Sequence, residues 1–125
     1  MGILAAATPV IVICTRDRVR AVSFYRDNLG LELSFEDDFA AVFSVGGIAL
    51  RVSHVADFVP HEHTILGFQV PDVVAAVKAL TGNGVTFSRY PRFNQDELGI
   101  WTSPGGGVQV AWFKDPDGNV LSVTK

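Results

Sequence analysis

The sequence contains one cysteine, no run of lysine or arginine, and no apolar segment long enough to cross a bilayer. A single cysteine excludes an intramolecular disulfide and any metal cage made only of cysteines. The net charge of −3 argues against nucleic-acid binding, because that affinity rests on neutralising phosphates. The apolar N-terminal stretch has no basic leader and falls short of the about 20 apolar residues that a membrane span needs. We therefore expect a cytoplasmic protein without membrane or nucleic-acid partners.

Apolar residues are frequent enough to build a folded domain. The 125 residues are 48% hydrophobic and 18% charged, which is typical of a globular chain. The one cysteine, Cys14, lies in the apolar run VIVIC. It is predicted to be a buried and inert thiol, as free cysteines usually are.

The pattern of the first half predicts one helix and four strands. Asp17 can cap a helix that runs to about Asn28 and stops at Gly30. Apolar and β-branched stretches predict strands at 9–14, 31–36, 40–45 and 48–53. A polar stretch, SHVADFVPHEH, then interrupts the pattern and is typical of a linker.

The second half repeats this order. ILGFQV predicts a strand, Asp72 opens a second helix, and further strands are predicted for VTFSRY (85–90), VQVAWF and NVLSV. Each half alone would expose the apolar face of a small sheet. We therefore predict one α+β domain of two βαβββ modules whose curved mixed sheets surround a cleft. Module one is placed at about 8–54, the linker at about 55–63 and module two at about 64–125.

An insertion within residues 89–107 distinguishes the second module from the first. Its segment GIWTSP predicts an added strand that pairs with VQVAWF through a glycine-rich turn, which would bring Trp101 and Trp112 close together. Two indoles lining an apolar cleft can stack on a flat ligand. The alternative for both indoles is packing in the core or at a dimer interface.

Three segments carry a resemblance to a known group of proteins. They are AVSFYRDNLGLEL (21–33), GFQVPDVVAAVKAL (67–80) and FKDPDGNVLSV (113–123). Through them the chain resembles the glyoxalase, bleomycin-resistance and extradiol-dioxygenase proteins of the vicinal oxygen chelate superfamily. The resemblance implies paired βαβββ modules, usually in a homodimer. In the enzymes of that group it also implies a divalent metal, held by ligands on the first and last strands of each module.

The four positions that match those metal ligands hold other residues in this sequence. Val10 stands where histidine or glutamine is usual and Ile65 stands in place of histidine. Arg51 and Ser122 stand where the enzymes of that group have glutamate. Arginine is a permanent cation and would repel a metal. Metal ligands in proteins are mainly His, Cys, Asp and Glu side chains. The sequence therefore predicts neither the inherited metal site nor a cofactor.

Histidines and a carboxylate remain as candidates for other chemistry. His61 and His63 would lie on the same side of an extended PHEHT segment and could hold a displaced metal. A stable metal site has three or four protein ligands, however, and the segment supplies only two histidines. The alternative is a polar linker with exposed histidines. His63 lies two residues before Ile65 and is a candidate acid–base group, with Glu97 of the insertion as a possible second one.

Arg51 has two interpretations. It is expected to face the cleft, where an unpaired charge would be costly to bury. It either binds an anionic or carbonyl-bearing ligand or pairs with a carboxylate such as Glu32 or Glu36.

Two hypotheses about function follow from these residues. The first is a homodimeric, metal-independent protein that binds a small aromatic or conjugated ligand, as an apolar cleft with a few polar anchors would. Its candidate ligand-binding residues are Arg51, His63, Trp101, Trp112 and Ser122. The second is a lyase or isomerase that uses a relocated metal at His61 and His63 or acid–base catalysis by His63 and Glu97. A third, a dimeric scaffold without a working site, stays open.

Overall fold

A four-stranded mixed sheet with a helix on one face is built twice along the chain. The structure is a computed structural model that describes residues 2–125, and it divides into one unit that ends at Phe58 and a second at Val59–Lys125. In each sheet the first and last strands are parallel neighbours and the other pairs are antiparallel. The predicted α+β fold of two βαβββ modules is confirmed.

The first unit has the strand order β1-β4-β3-β2. Its elements are a 3₁₀ helix at Ile3–Ala6, β1 at Val10–Thr15, α1 at Arg18–Ser23, a π-helical turn at Phe24–Asn28, β2 at Glu32–Glu36, β3 at Ala40–Val45 and β4 at Ile48–His54. The Asp17 carboxylate caps α1 by accepting from the Arg20 amide at 3.2 Å, as predicted. The helix was predicted to run to about Asn28, but its last turn widens from an α-helix to a π-helix.

The second unit has the matching order β5-β8-β7-β6. Its elements are β5 at Thr64–Gln69, α2 at Val73–Gly82, β6 at Trp101–Thr102, β7 at Gln109–Lys114 and β8 at Val120–Thr124. The Asp72 carboxylate caps α2 by accepting from the Ala75 amide at 3.1 Å. Both helices therefore begin where the sequence predicts.

Each sheet buries one face and leaves the other more open. In the first unit, the side chains facing α1 include Ile13, Phe43 and Leu50, each at most 1% exposed. Alternate residues point to the other face, where Val10 and Val12 are 55% and 59% exposed. Cys14 shares that more open face with them and is half-buried, which corrects the prediction of a buried thiol.

The second sheet follows the same rule. Phe113 and Leu121 form a buried cross-strand pair beneath α2. The next pair along, Trp112 and Ser122, points to the opposite face. We call that side, opposite α2, the open face of the second sheet.

The strand predicted at 85–90 is wrong. Only Phe87 makes an isolated bridge, to Phe113 on β7. The chain then leaves the sheet edge at residue 88 and returns to β7 as the short strand β6. We call residues 88–100 the edge loop. The loop replaces a continuous edge strand because its own side chains bind its backbone groups, as described below.

The DPDGN turn between β7 and β8 is held by a buried carboxylate. Asp115 Oδ1 accepts from the Asp117 and Asn119 amides at 3.0 and 2.9 Å, and Asp115 Oδ2 accepts from Asn119 Nδ2 at 2.8 Å. Gly118 has a φ of +93°, and a Cβ built on it would lie 3.1 Å from Pro60 Cγ. The positive φ favours glycine there, and the close approach of Pro60 leaves little room for a side chain.

Candidate functional site

The two tryptophans lie side by side on the open face of the second sheet. β6 pairs with β7 in the register Trp101↔Val110, so the predicted added strand is confirmed, although it is only two residues long. The Trp101 and Trp112 ring centroids are 6.4 Å apart, and both side chains are half-buried. The indoles therefore form the floor of an apolar, partly accessible surface.

Two rings of the edge loop complete this surface. Phe93 stacks on Trp112 with centroids 5.0 Å apart and planes 13° apart, and it also contacts Trp101 at 5.8 Å. Tyr90 meets Trp112 edge to face at 5.6 Å. We call Tyr90, Phe93, Trp101 and Trp112 the aromatic cluster. Offset stacking and edge-to-face pairs are the favoured geometries of aromatic rings.

The sequence analysis did not identify Tyr90 and Phe93 as site residues, because Tyr90 was placed in a predicted strand and Phe93 lies in the insertion, where only the GIWTSP strand was predicted. The signal that marks them is the alternation of arginine and aromatic residues in RYPRF (89–93). The Arg92 guanidinium carbon lies 5.1 Å from the Phe93 centroid and 5.9 Å from that of Tyr90. These are cation–π distances, so Arg92 lies against the Phe93 and Tyr90 rings of the cluster.

The edge loop is closed at its base by the Gln95 side chain. Its Oε1 accepts from the Tyr90 amide at 2.8 Å, and its Nε2 donates to the Ser88 and Gly99 carbonyl oxygens at 3.0 and 2.8 Å. One amide side chain thus binds three backbone groups that a sheet partner would otherwise have bound.

Asp96 and Arg89 add to that closure. Asp96 Oδ1 accepts from the Leu98 and Ile100 amides at 2.9 Å each. The Arg89 guanidinium donates to the carbonyl oxygens of Asp96 and Glu97. The base of the loop is therefore a fixed frame from which Tyr90 and Phe93 reach over the indoles.

Ser122 lies beside Trp112 on the same face but has little exposure. The two residues are cross-strand partners, and Gly67 is the partner of Ser122 on its other side. Ser122 is 5% exposed, and a Cβ on Gly67 would lie 3.1 Å from its Oγ. The absence of a side chain at Gly67 leaves the room that the hydroxyl occupies.

Arg51 lies in the first unit and binds a different carboxylate from those predicted. Its Nη2 donates to Asp37 Oδ2 at 3.1 Å, with the side chains 30% and 37% exposed. Glu32 and Glu36 lie opposite Ser44 and Ala41 in the sheet, whereas Arg51 lies opposite Val42. The interpretation of Arg51 as a paired cation is thus supported with Asp37 as its partner.

Asp37 holds the turn that precedes β3. Its Oδ1 accepts from the Phe39 and Ala40 amides at 2.8 Å each. These two hydrogen bonds, and then the bond from Arg51, lower the pKa of the Asp37 carboxyl from its ordinary value of 3.8. A lowered pKa in the folded state means that the ionised carboxylate stabilises the fold.

We expect an Asp37→Asn variant to melt at a lower temperature than the wild type at neutral pH. The carboxylate contributes fully above its unfolded pKa, and the contribution is lost as the pH falls through the lower, folded pKa. The difference between the two melting temperatures should therefore shrink as the pH falls below 3.8. Thermal unfolding over a pH series measures it. Asp38→Asn, at an exposed neighbour, serves as control, and a pH-independent difference would contradict the assignment.

The histidine candidates lie outside the strand. The His61 and His63 rings stack at 5.5 Å and 26°, so they do share one side, and both residues are exposed. β5 begins at Thr64 and has a bulge between Thr64 and Leu66, so His63 and Ile65 are not successive members of one regular strand face. Within residues 2–125 no hydrogen bond or ion pair joins His63 to Glu97.

Glu97 lies in the edge loop and is exposed. It lines an open pocket of about 250 Å³ together with Thr81, Phe87, Arg89 and Leu98. The Glu97 backbone oxygen is bound by Arg89. The carboxylate therefore belongs to the outer side of the loop, and the structure gives it no histidine partner among the described residues.

The four positions that would carry a divalent metal do not fit one. Val10 and Ile65 have no donor atom, Arg51 is a cation bound to Asp37, and Ser122 offers only a hydroxyl. In the part of the chain that the structure describes, no group of three His, Cys, Asp or Glu side chains is placed to hold a metal ion.

The family comparison gives one match over nearly the whole chain. A family model described as Glyoxalase/Bleomycin resistance protein/Dioxygenase superfamily matches residues 8–123. The resemblance predicted from the three sequence segments is thereby confirmed. No curated protein matches the sequence. Over residues 2–125, no helix is long and apolar enough to cross a membrane.

Solved structures share the fold at low sequence identity. The glyoxalase family protein from Enterococcus faecalis is 16% identical, with a TM-score of 0.75 and coverage of 96% of this chain and 98% of that one. A superfamily member from Sphaerobacter thermophilus is 24% identical, with a TM-score of 0.73 and coverages of 95% and 96%. A fosfomycin resistance protein from Listeria monocytogenes is 12% identical, with a TM-score of 0.73 and coverages of 95% and 92%. At such identities the likeness shows the fold alone.

Proposed function

The chain belongs to the glyoxalase/bleomycin resistance protein/dioxygenase superfamily, and we propose that it binds a small planar aromatic molecule without a metal. The aromatic cluster is the observation that carries the proposal. Superfamily membership alone does not select a function, because one fold hosts many activities.

The donor chemistry of the first and last strands supports binding rather than metal-dependent catalysis. A divalent metal needs His, Cys, Asp or Glu ligands in a set of three or four. Val10, Arg51, Ile65 and Ser122 supply none of these. The one charged member, Arg51, is already engaged by Asp37.

The aromatic cluster supports a planar ligand. Four rings lie together on one side of a sheet, with the centroids of neighbouring rings 5.0 to 6.4 Å apart. All four side chains are half-buried. An aromatic pair contributes about 1 kcal/mol beyond the burial of its area. Apolar surfaces lined by aromatic rings with a few polar groups are typical of small-molecule sites.

Fluorescence titration tests this proposal with a matched pair of ligands. 2-Naphthol is planar, and decahydro-2-naphthol has the same skeleton without aromatic rings. We expect saturable quenching of tryptophan fluorescence by 2-naphthol and a calorimetric Kd for it that is at least about fivefold lower than for the saturated analogue. Phe39→Ala, at an exposed ring in the first unit, serves as the control and should bind as the wild type does. Equal affinities for the two ligands would overturn the proposal.

A homodimer and a cytoplasmic location belong to the same proposal. The support for the dimer is the family resemblance together with the exposed apolar side chains of the first unit, among them Val10 and Val12. Light scattering during size-exclusion chromatography measures the assembly. A mass of 13.5 kDa at all concentrations would contradict the dimer.

A further inference from the structure

We propose that the ligand is a planar aromatic anion that displaces the Phe93 ring and binds between Trp112 and Arg92. This inference rests on the proposed function and assigns to it a ligand class and a residue that sets specificity. The ligand would occupy the place that the Phe93 ring fills in the structure.

The Phe93 ring contacts both an indole and a cation on the second unit. It lies nearly parallel to the Trp112 indole at 5.0 Å and 13°, and the Arg92 guanidinium carbon lies over it, 5.1 Å from its centroid. Phe93 is thus a flat, uncharged ring in contact with both Trp112 and Arg92. A flat aromatic ligand has the shape and the quadrupole to replace it.

The Phe93 ring is held by contacts with Tyr90, Trp101 and Trp112 at 6.1, 5.8 and 5.0 Å and with Arg92 at 5.1 Å, whereas the loop that carries it is closed by hydrogen bonds. Phe93 lies at the end of a turn in which its amide donates to the Tyr90 carbonyl oxygen at 2.9 Å. The hydrogen bonds that close the loop belong to the Gln95 and Asp96 side chains. The Phe93 side chain is half-buried and takes part in none of them. Rotation of this ring away from Trp112 therefore leaves the frame of the loop intact.

Arg92 gives the site its preference for an anion. The guanidinium makes no hydrogen bond or ion pair with any residue in 2–125, and the residue is exposed. Its five N–H donors match a carboxylate in a two-pronged geometry. To pair with a carboxylate on the edge of a ring that stacks on Trp112, the exposed Arg92 side chain turns from its present place over the ring to the ring edge.

Competition from Phe93 lowers the affinity of the wild type. A ligand can bind only in the fraction of molecules whose Phe93 ring has left Trp112, so the observed Kd is the intrinsic Kd divided by that fraction. Removing the ring removes the competition. Removing the Arg92 charge leaves the stack but abolishes the preference for an anion.

Calorimetric titration of the full chain tests both parts with 2-naphthoate and its neutral analogue 2-naphthamide. We expect Phe93→Ala to bind 2-naphthoate about fivefold more tightly than the wild type, the fold-change that corresponds to one lost stacking pair. We expect the wild type to prefer 2-naphthoate to 2-naphthamide and Arg92→Gln to lose that preference. Phe93→Leu, which keeps an apolar side chain, and Phe39→Ala are the controls, and thermal melts verify folding.

The outcomes separate this inference from the function on which it rests. If the wild type binds 2-naphthoate and Phe93→Ala binds it equally or more weakly, the ligand does not displace the Phe93 ring. That result overturns the displacement and leaves the proposed function standing. Equal wild-type affinities for 2-naphthoate and 2-naphthamide overturn the anion preference. Failure of the wild type and of Phe93→Ala to bind 2-naphthoate, 2-naphthamide or 2-naphthol overturns both proposals.

Discussion

Replacing Trp112 by alanine is expected to weaken the binding of 2-naphthol at least about tenfold. Trp112, like Phe93, contacts all three other members of the aromatic cluster, at 5.0, 5.6 and 6.4 Å. Without this indole, a ligand that stacks on the sheet loses a large flat partner. Calorimetry measures the Kd, because the variant also loses one of the two fluorophores.

Matched variants distinguish a loss of stacking on Trp112 from a general disturbance of the aromatic cluster. Trp112→Phe keeps a smaller ring and should retain part of the affinity, and Trp101→Ala should have the smaller effect because Trp101 has two ring neighbours rather than three. Near-ultraviolet circular dichroism checks that the remaining rings stay packed. Unchanged affinity of a folded Trp112→Ala variant would place the ligand elsewhere.

Replacing Asp115 by alanine is expected to lower the free energy of unfolding by about 3 kcal/mol. The change removes the acceptor of three buried donors, the Asp117 amide, the Asn119 amide and Asn119 Nδ2. Each buried donor left without a partner costs about 1 kcal/mol or more. Urea unfolding at equilibrium measures the difference.

Asp115→Asn separates the hydrogen bonds from the charge. Asparagine keeps the oxygen that binds the two amides but turns an NH₂ group toward Asn119 Nδ2, so an intermediate loss is expected. Asp38→Ala, at an exposed position, should change the free energy of unfolding by less than about 0.5 kcal/mol. A loss below about 1 kcal/mol for Asp115→Ala would contradict this account of the turn.

The DPDGN segment is therefore explained by folding rather than by chemistry. Asp115 and Asn119 are buried and bound to each other, and Gly118 has a positive φ at which other residues are strained. The segment helps to identify the family because it closes the β7–β8 hairpin. Its carboxylates are not candidates for acid–base work at the aromatic cluster.

The fold was readable from the sequence because its signals are local. Asp17 and Asp72 cap the helices three residues before the amides they bind, and alternating apolar residues mark the regular strands. The same alternation in VTFSRY wrongly predicted a strand. The competing structure depends on Gln95 and Asp96, whose partners are backbone atoms that no residue pattern reveals.

The candidate site was readable only in part. The pairing of β6 with β7 brought Trp101 and Trp112 together, because hairpin partners are close in the sequence. Phe93 escaped notice because its contact with Trp112 spans an irregular loop. The pairing of Arg51 with Asp37 was not predicted either. The register shift between Leu33 and Phe35 changes which residues of β2 lie opposite β3, and regular alternation does not predict such a shift.

The central claim is that an aromatic ligand binds the aromatic cluster without a metal. The most direct test is calorimetric titration of 2-naphthol into protein treated with EDTA and into protein exposed to Zn, Ni, Mn and Fe(II) and then desalted, with the metal content counted by elemental mass spectrometry. We predict the same Kd in every sample and no stoichiometric metal. Binding that appears only in a metal-loaded sample, with about one metal per chain, would contradict the account.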